Sequence, residues 1–137
     1  MLVHDESAAV HLLQRQAIKP TAQRVEIALL LLQEHQHLSA EQVLYRLRRR
    51  GKAVSKATVY NTLRLFAARG IVQQVIVDPE RVFYDSNTSD HFHFYNNVNQ
   101  GVLIDLDPDA LRIPELPALP YGTVHEAVDV IVRIRDK

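Results

Sequence analysis

The hydrophobic period of this chain changes once, near Ile71, and that change constrains the fold more than any other feature. Before it, apolar residues recur at helical spacing and four helices are readable. Asp5 to Gln16 carries Ala9, Val10, Leu12 and Leu13, and Lys19-Pro20-Thr21 breaks it. Thr21 caps a second helix to about Glu34, apolar over much of its girth and therefore central. His35 to Leu38 reads as a short loop. Ser39 and Gln42 form a capping box for a third helix, with Val43, Leu44 and Leu47 inward and Gly51 at its end. Ser55 caps a fourth, Lys56 to Ala68, stopped by Gly70. After Ile71 the pattern alternates: Val75-Ile76-Val77, the polar turn Asp78-Pro79-Glu80-Arg81, then Val82-Phe83-Tyr84, a β-hairpin. Helices followed by such a hairpin make a winged helix-turn-helix, whose last helix enters the DNA major groove.

The polar run Asp85 to Asp90 reads as a hinge, dividing residues 1–84 from residues 91–137. Beyond it, His91 to Tyr95 and Val102 to Leu106 are two expected strands. Phe92 and Phe94 should pack with Val102, Ile104 and Leu106, leaving His91, His93 and Asp105 on the opposite side. Asp107-Pro108 can start one short helix, and Val124 to Arg135 is an expected third strand. Pro114, Pro117 and Pro120 exclude a long helix between them. The fold class expected is α+β: an N-terminal winged helix-turn-helix domain and a small α/β domain. The second half is too small for an independent core, and its open edges and apolar face predict a homodimer.

Charge divides along the same line. The formal net charge is zero, yet residues 1–84 hold twelve of the sixteen Lys and Arg against seven of the sixteen acids. Residues 85–137 hold the other four basic and nine acidic residues. A basic half beside a recognition helix points to a phosphate-bearing partner. The candidate DNA-binding residues are Lys19, Thr21, Arg24, Lys56, Thr58, Tyr60, Asn61 and Arg64. They combine cations for phosphates with short hydroxyl and amide groups at a helix N-terminus, where backbone amides add a positive dipole end. The competing reading is a solvated charged face.

There is no cysteine, which removes disulfides and thiolate metal sites together. Any metal must be held by nitrogen and oxygen. His91-x-His93 puts two imidazoles on one side of a strand, and Asp105 falls on the same side of the next. Asp85 sits at the hinge and His37 before the third helix, so a metal on all five would tie the two halves together. Such a donor set suits iron(II), manganese(II) or zinc. His125 reads as a surface or structural histidine. No segment suits a signal peptide or a membrane span, so the expected location is cytoplasmic. No HExxH, nucleophile elbow or phosphate loop is present, which argues against an enzyme.

Lys19-Pro20-Thr21-Ala22-Gln23-Arg24, His37-Leu38-Ser39-Ala40-Glu41, Ala57 to Leu63 (ATVYNTL), Phe83-Tyr84-Asp85 and His91-x-His93 resemble, in order and spacing, the ferric uptake regulator family. Asp85 to His91 and Val128 to Arg133 look most like its iron response regulator branch. The resemblance implies a homodimeric repressor on inverted-repeat double-stranded DNA operators. It also implies one regulatory metal per subunit at His37, Asp85, His91, His93 and Asp105, with Asp107 as a fallback for the last. The family's structural zinc site needs two CxxC pairs, the first near Asn96 and Asn99, and so is not expected here. A further His/carboxylate site of some members would fall near Asp90, Phe92, Arg112 and His125 or Ala127, and Phe92 and Arg112 cannot ligate. The iron response branch brings in haem as a second candidate signal, although Phe92 interrupts its His-rich run and no Cys-Pro motif exists. Asp85 and Asp105 are compatible with peroxide sensing. The alternatives are a metal-dependent hydrolase and an architectural DNA-binding protein with a vestigial metal site.

Overall fold

The computed structural model describes residues 1–99 and 101–137. The chain forms two compact units, Met1–Thr88 and Ser89–Lys137. The first holds α1 (Glu6–Arg15), α2 (Ala22–Leu31), β1 (His37–Ser39), α3 (Ala40–Arg49), α4 (Lys56–Ala68), β2 (Gln73–Asp78) and β3 (Arg81–Asp85). The second holds β4 (His93–Asn96), β5 (Val102–Asp105) and β6 (Ile131–Ile134).

Each helix of the first unit starts at the residue its sequence marks. Asp5, Thr21, Ser39 and Ser55 are the N-caps, and each side chain accepts a backbone N–H from three residues on. At Ser39 the box is reciprocal, because Gln42 returns a bond to the Ser39 N–H at 2.9 Å. The caps satisfy amide groups that the first turn leaves unpaired. α2 is the central helix, with Val25, Ile27, Ala28, Leu30 and Leu31 buried. Val43 and Leu47 of α3 and Val59, Leu63 and Phe66 of α4 complete the core around it.

The wing is larger than the expected hairpin. His37–Ser39 is a strand, not a loop, and the sheet order is β1-β3-β2. Three residues carry too little alternation to be read as a strand, and β1 exists because β3 offers it an edge. It pairs antiparallel with β3, His37 opposite Asp85 and Leu38 opposite Tyr84. α2 also ends at Leu31, before the expected Glu34, because the chain must turn to reach that edge.

The second unit is a three-stranded sheet of order β5-β4-β6, with β4 antiparallel to β5 and parallel to β6. The faces divide as expected: His93, Tyr95, Leu103 and Asp105 on one side, Phe94, Asn96, Val102 and Ile104 on the other. Their burial does not. Tyr95 and Leu103 are buried on the histidine side, whereas Val102, Ile104 and Ile134 on the apolar side are 39–45% exposed. Pro114, Pro117 and Pro120 keep the segment that follows β5 from forming a helix. Asp107-Pro108 opens a turn, with Ala110 N–H donating to the Asp107 carbonyl, and no helix follows. The third strand is confined to Ile131–Ile134 rather than running from Val124. No helix among the described residues is long and apolar enough to cross a membrane.

Candidate metal centre and nucleic-acid interface

In the second unit, β4 and β5 place His93 directly opposite Asp105, and opposed residues face the same side of a sheet. His93 Nε2 lies 3.3 Å from Asp105 Oδ1. His91 stands two residues earlier, on the same side by strand period, with Nε2 3.6 Å from that same oxygen. The two imidazole centroids are 4.5 Å apart. Both histidine side chains are nearly covered, and that of Asp105 is 52% exposed, so the cluster opens on the carboxylate side.

His91 Nδ1 sits 2.6 Å from the Ser89 carbonyl oxygen. A carbonyl only accepts, so Nδ1 carries the proton and donates, leaving Nε2 with its lone pair in the neutral ring. A metal-ligating histidine is oriented in this way. Ligand atoms of His91, His93 and Asp105 thus lie within 4.8 Å of one another. Such a convergence favours a proton or a cation among them. With nitrogen and oxygen donors and no thiolate, the set fits a divalent transition metal. Asp107 is not part of this cluster; its Oδ1 accepts the Asp109 N–H at 2.9 Å. His125 lies exposed in the run between β5 and β6, outside the sheet.

The other two candidates meet each other in the first unit. His37 and Asp85 are Cα partners across β1 and β3. Asp85 is 1% exposed, and its Oδ1 accepts the Asn87 N–H at 2.9 Å. The His37 ring meets Phe83 edge-on, with centroids 6.3 Å apart. Sequence reasoning missed the residue that fixes this pair. Ser86 is fully buried; its Oγ donates to the Glu34 carbonyl at 2.7 Å and accepts the Gln36 N–H at 2.9 Å. Its own N–H donates to the Gln36 carbonyl at 2.9 Å. One serine thus clamps the residues before His37 to the residue after Asp85. A serine within a small polar run carries no periodic signal, and only the strand pairing exposes its role.

The exposed side of α4 carries Lys56, Asn61 and Arg64, opposite buried Val59, Leu63 and Phe66. Ser55 Oγ accepts the Thr58 N–H at 3.1 Å and donates to Thr58 Oγ1 at 2.9 Å, so Thr58 is held at the helix start. Lys56 Nζ lies over the Tyr60 ring, 5.6 Å from its centroid. Burial pushes the Tyr60 phenol above its ordinary value, with Glu41 and Tyr84 adding to the rise and Arg64 opposing it. The phenol therefore stays protonated and able to donate at neutral pH. Thr21 and Arg24 have local work as well. Thr21 caps α2, and Arg24 Nη1 donates to the Lys19 carbonyl at 3.0 Å. Lys19 itself is exposed.

Residues 15–115 match the model of the ferric uptake regulator family. The chain belongs to that family. Among curated relatives it is 30% identical over 90 residues to the Peroxide-responsive repressor PerR of Staphylococcus epidermidis, a match covering 66% of this chain and 60% of that protein. The PerR of Staphylococcus aureus strain Mu50 is 31% identical over the same length, covering 66% of this chain and 61% of its own. The matches thus span about three fifths of those relatives. Solved structures of the family share the fold. The ferric uptake regulator of Francisella tularensis with iron superposes at a TM-score of 0.67 and 23% identity, over 88% of this chain and 92% of that one. That of Vibrio cholerae does so at 0.70 and 21%, over 93% and 98%.

Proposed function

We propose that this protein is a metal-responsive, DNA-binding transcription regulator, a repressor, acting as a homodimer on inverted-repeat double-stranded DNA. The convergence of His91, His93 and Asp105, with His91 already fixed in the ligand tautomer, carries the reading. The metal would be held by these three together with His37 and Asp85, one divalent ion per subunit. Iron(II), manganese(II) and zinc all suit the donors, and solved relatives are described with iron and with manganese. A bound ion would supply a fixed positive charge for these side chains to gather around. A ligand favouring one arrangement shifts the population toward it, which is what a switch needs.

The DNA side rests on α4 and its flanking cations. Lys56, Thr58, Tyr60, Asn61 and Arg64 read the groove or its phosphates, and Lys19, Thr21 and Arg24 position the neighbouring backbone. No catalytic residue is assigned, in contrast to the hydrolase reading. The hinge lies within residues 85–90, after Ser86, since Asp85 and Ser86 are held in the first unit, and the protein works in the cytoplasm. The peroxide-responsive repressors among the relatives favour a redox-active ion at this site over a purely structural one.

Calorimetric titration of metal-stripped protein with manganese(II) tests the assignment. The wild type should take up one ion per subunit. His91→Ala and Asp105→Asn should each weaken binding by about 10- to 100-fold. Equal affinity in all three proteins would refute it. A haem absorbance titration, run alongside, tests the second candidate signal: a Soret shift that His91→Ala abolishes would assign the site to haem in place of the metal ion.

A further inference from the structure

The run between β5 and β6 contains a tripeptide repeat that the regulator reading leaves unused. Residues 113–121 read Ile-Pro-Glu, Leu-Pro-Ala, Leu-Pro-Tyr. A polyproline II helix has three residues per turn. In that conformation Ile113, Leu116 and Leu119 would line one edge, Pro114, Pro117 and Pro120 a second, and Glu115, Ala118 and Tyr121 the third. The structure forms no helix or strand over residues 111–120, and every residue from 107 to 129 is exposed. Leu116 is 43% exposed and Leu119 47%.

An apolar surface in the same unit also lacks a cover. On the side of the sheet bearing Phe94, Val102 and Ile104 are exposed, as is Ile134 on β6. The described residues of this unit bury only Tyr95, Leu103 and Leu106 among apolar side chains. So small a core does not sustain a fold of this size alone. The chain does not solve the problem within itself, because arm and face are both exposed in one copy. Two copies related by a two-fold axis solve it reciprocally, each arm covering the other's face with one contact made twice. The dimensions agree. Nine residues of polyproline II span about 28 Å, enough to cross a four-residue strand of about 13 Å. The prolines preset φ, so little conformational entropy is lost on docking.

We propose that residues 113–121 form an arm that lies, by its Ile113, Leu116 and Leu119 edge, on the exposed Val102 and Ile104 face of a second copy. The proposal rests on the homodimer reading and adds the segment that closes it. The absence of cysteine makes the test clean. Full-length Leu116→Cys protein with one affinity tag is mixed with Ile104→Cys protein carrying another and treated with a short bismaleimide. The expected product is a cross-linked species bearing both tags. In sedimentation, Leu116→Asp combined with Leu119→Asp should raise the dimer dissociation constant about tenfold or more, and Ala118→Asp, on the outward edge, should leave it unchanged. A wild type that sediments as a dimer, with no doubly tagged product from the Leu116→Cys and Ile104→Cys mixture and the double aspartate variant equally dimeric, overturns the arm and leaves the dimer standing. A wild type that sediments as a monomer overturns both.

Discussion

At the scale of the residue, one hydrogen bond decides the chemistry of His91 and one side chain decides the placement of His37 and Asp85. The Ser89 carbonyl holds the proton on Nδ1 of His91 and turns Nε2 toward Asp105. Ser86 joins Glu34 and Gln36 to the end of β3. Ser86→Ala would leave the Gln36 N–H and the Glu34 carbonyl without that partner in a part-buried setting, a cost of about 1–3 kcal/mol. The expected outcome is a lower unfolding midpoint and weaker manganese(II) binding, with Ser86→Thr recovering part of both. Unchanged metal affinity in Ser86→Ala would separate this serine from the site. Gly101 is constrained for a different reason. Its φ is +103°, and an added Cβ would sit 2.5 Å from the Tyr95 hydroxyl oxygen. Gly101→Ala should therefore destabilise the second unit by about 1–3 kcal/mol, measured by denaturant titration.

At the scale of the element, α4 carries two separable functions. Ser55 builds the helix start and Arg64 faces outward from it. Ser55→Ala removes a cap and should cost about 1 kcal/mol of stability. Arg64→Ala should leave the unfolding midpoint within error while weakening DNA binding and flattening its salt dependence. The helices were legible because caps and apolar spacing agree residue by residue, down to Lys56–Ala68. The strands were less so. β1 is set by what β3 offers, a long-range condition that no local window contains. The expected helix after Asp107 failed because the turn closed by Ala110 N–H ends it at once, and the prolines beyond deny it a continuation. Alternation divides the faces but does not say what covers the Phe94 face.

At the scale of the whole chain, charge and chemistry are segregated in sequence: most cations and α4, the proposed recognition helix, in the first unit, the paired histidines and Asp105 in the second. His91, His93 and Asp105 could be assembled from strand spacing alone. His37 and Asp85 entered through the hinge argument and the family resemblance, and their pairing across β1 and β3 gives them a shared location. The proposed switch requires that metal at the histidines be felt at α4. It is tested most directly by fluorescence anisotropy on an inverted-repeat duplex selected from a random-sequence pool, with metal-stripped protein titrated in the absence and presence of manganese(II). The prediction is that manganese(II) changes wild-type affinity by about tenfold or more and leaves His91→Ala unchanged, while Arg64→Ala binds weakly in both conditions. Equal wild-type affinity with and without manganese(II), iron(II) and zinc would contradict the central claim.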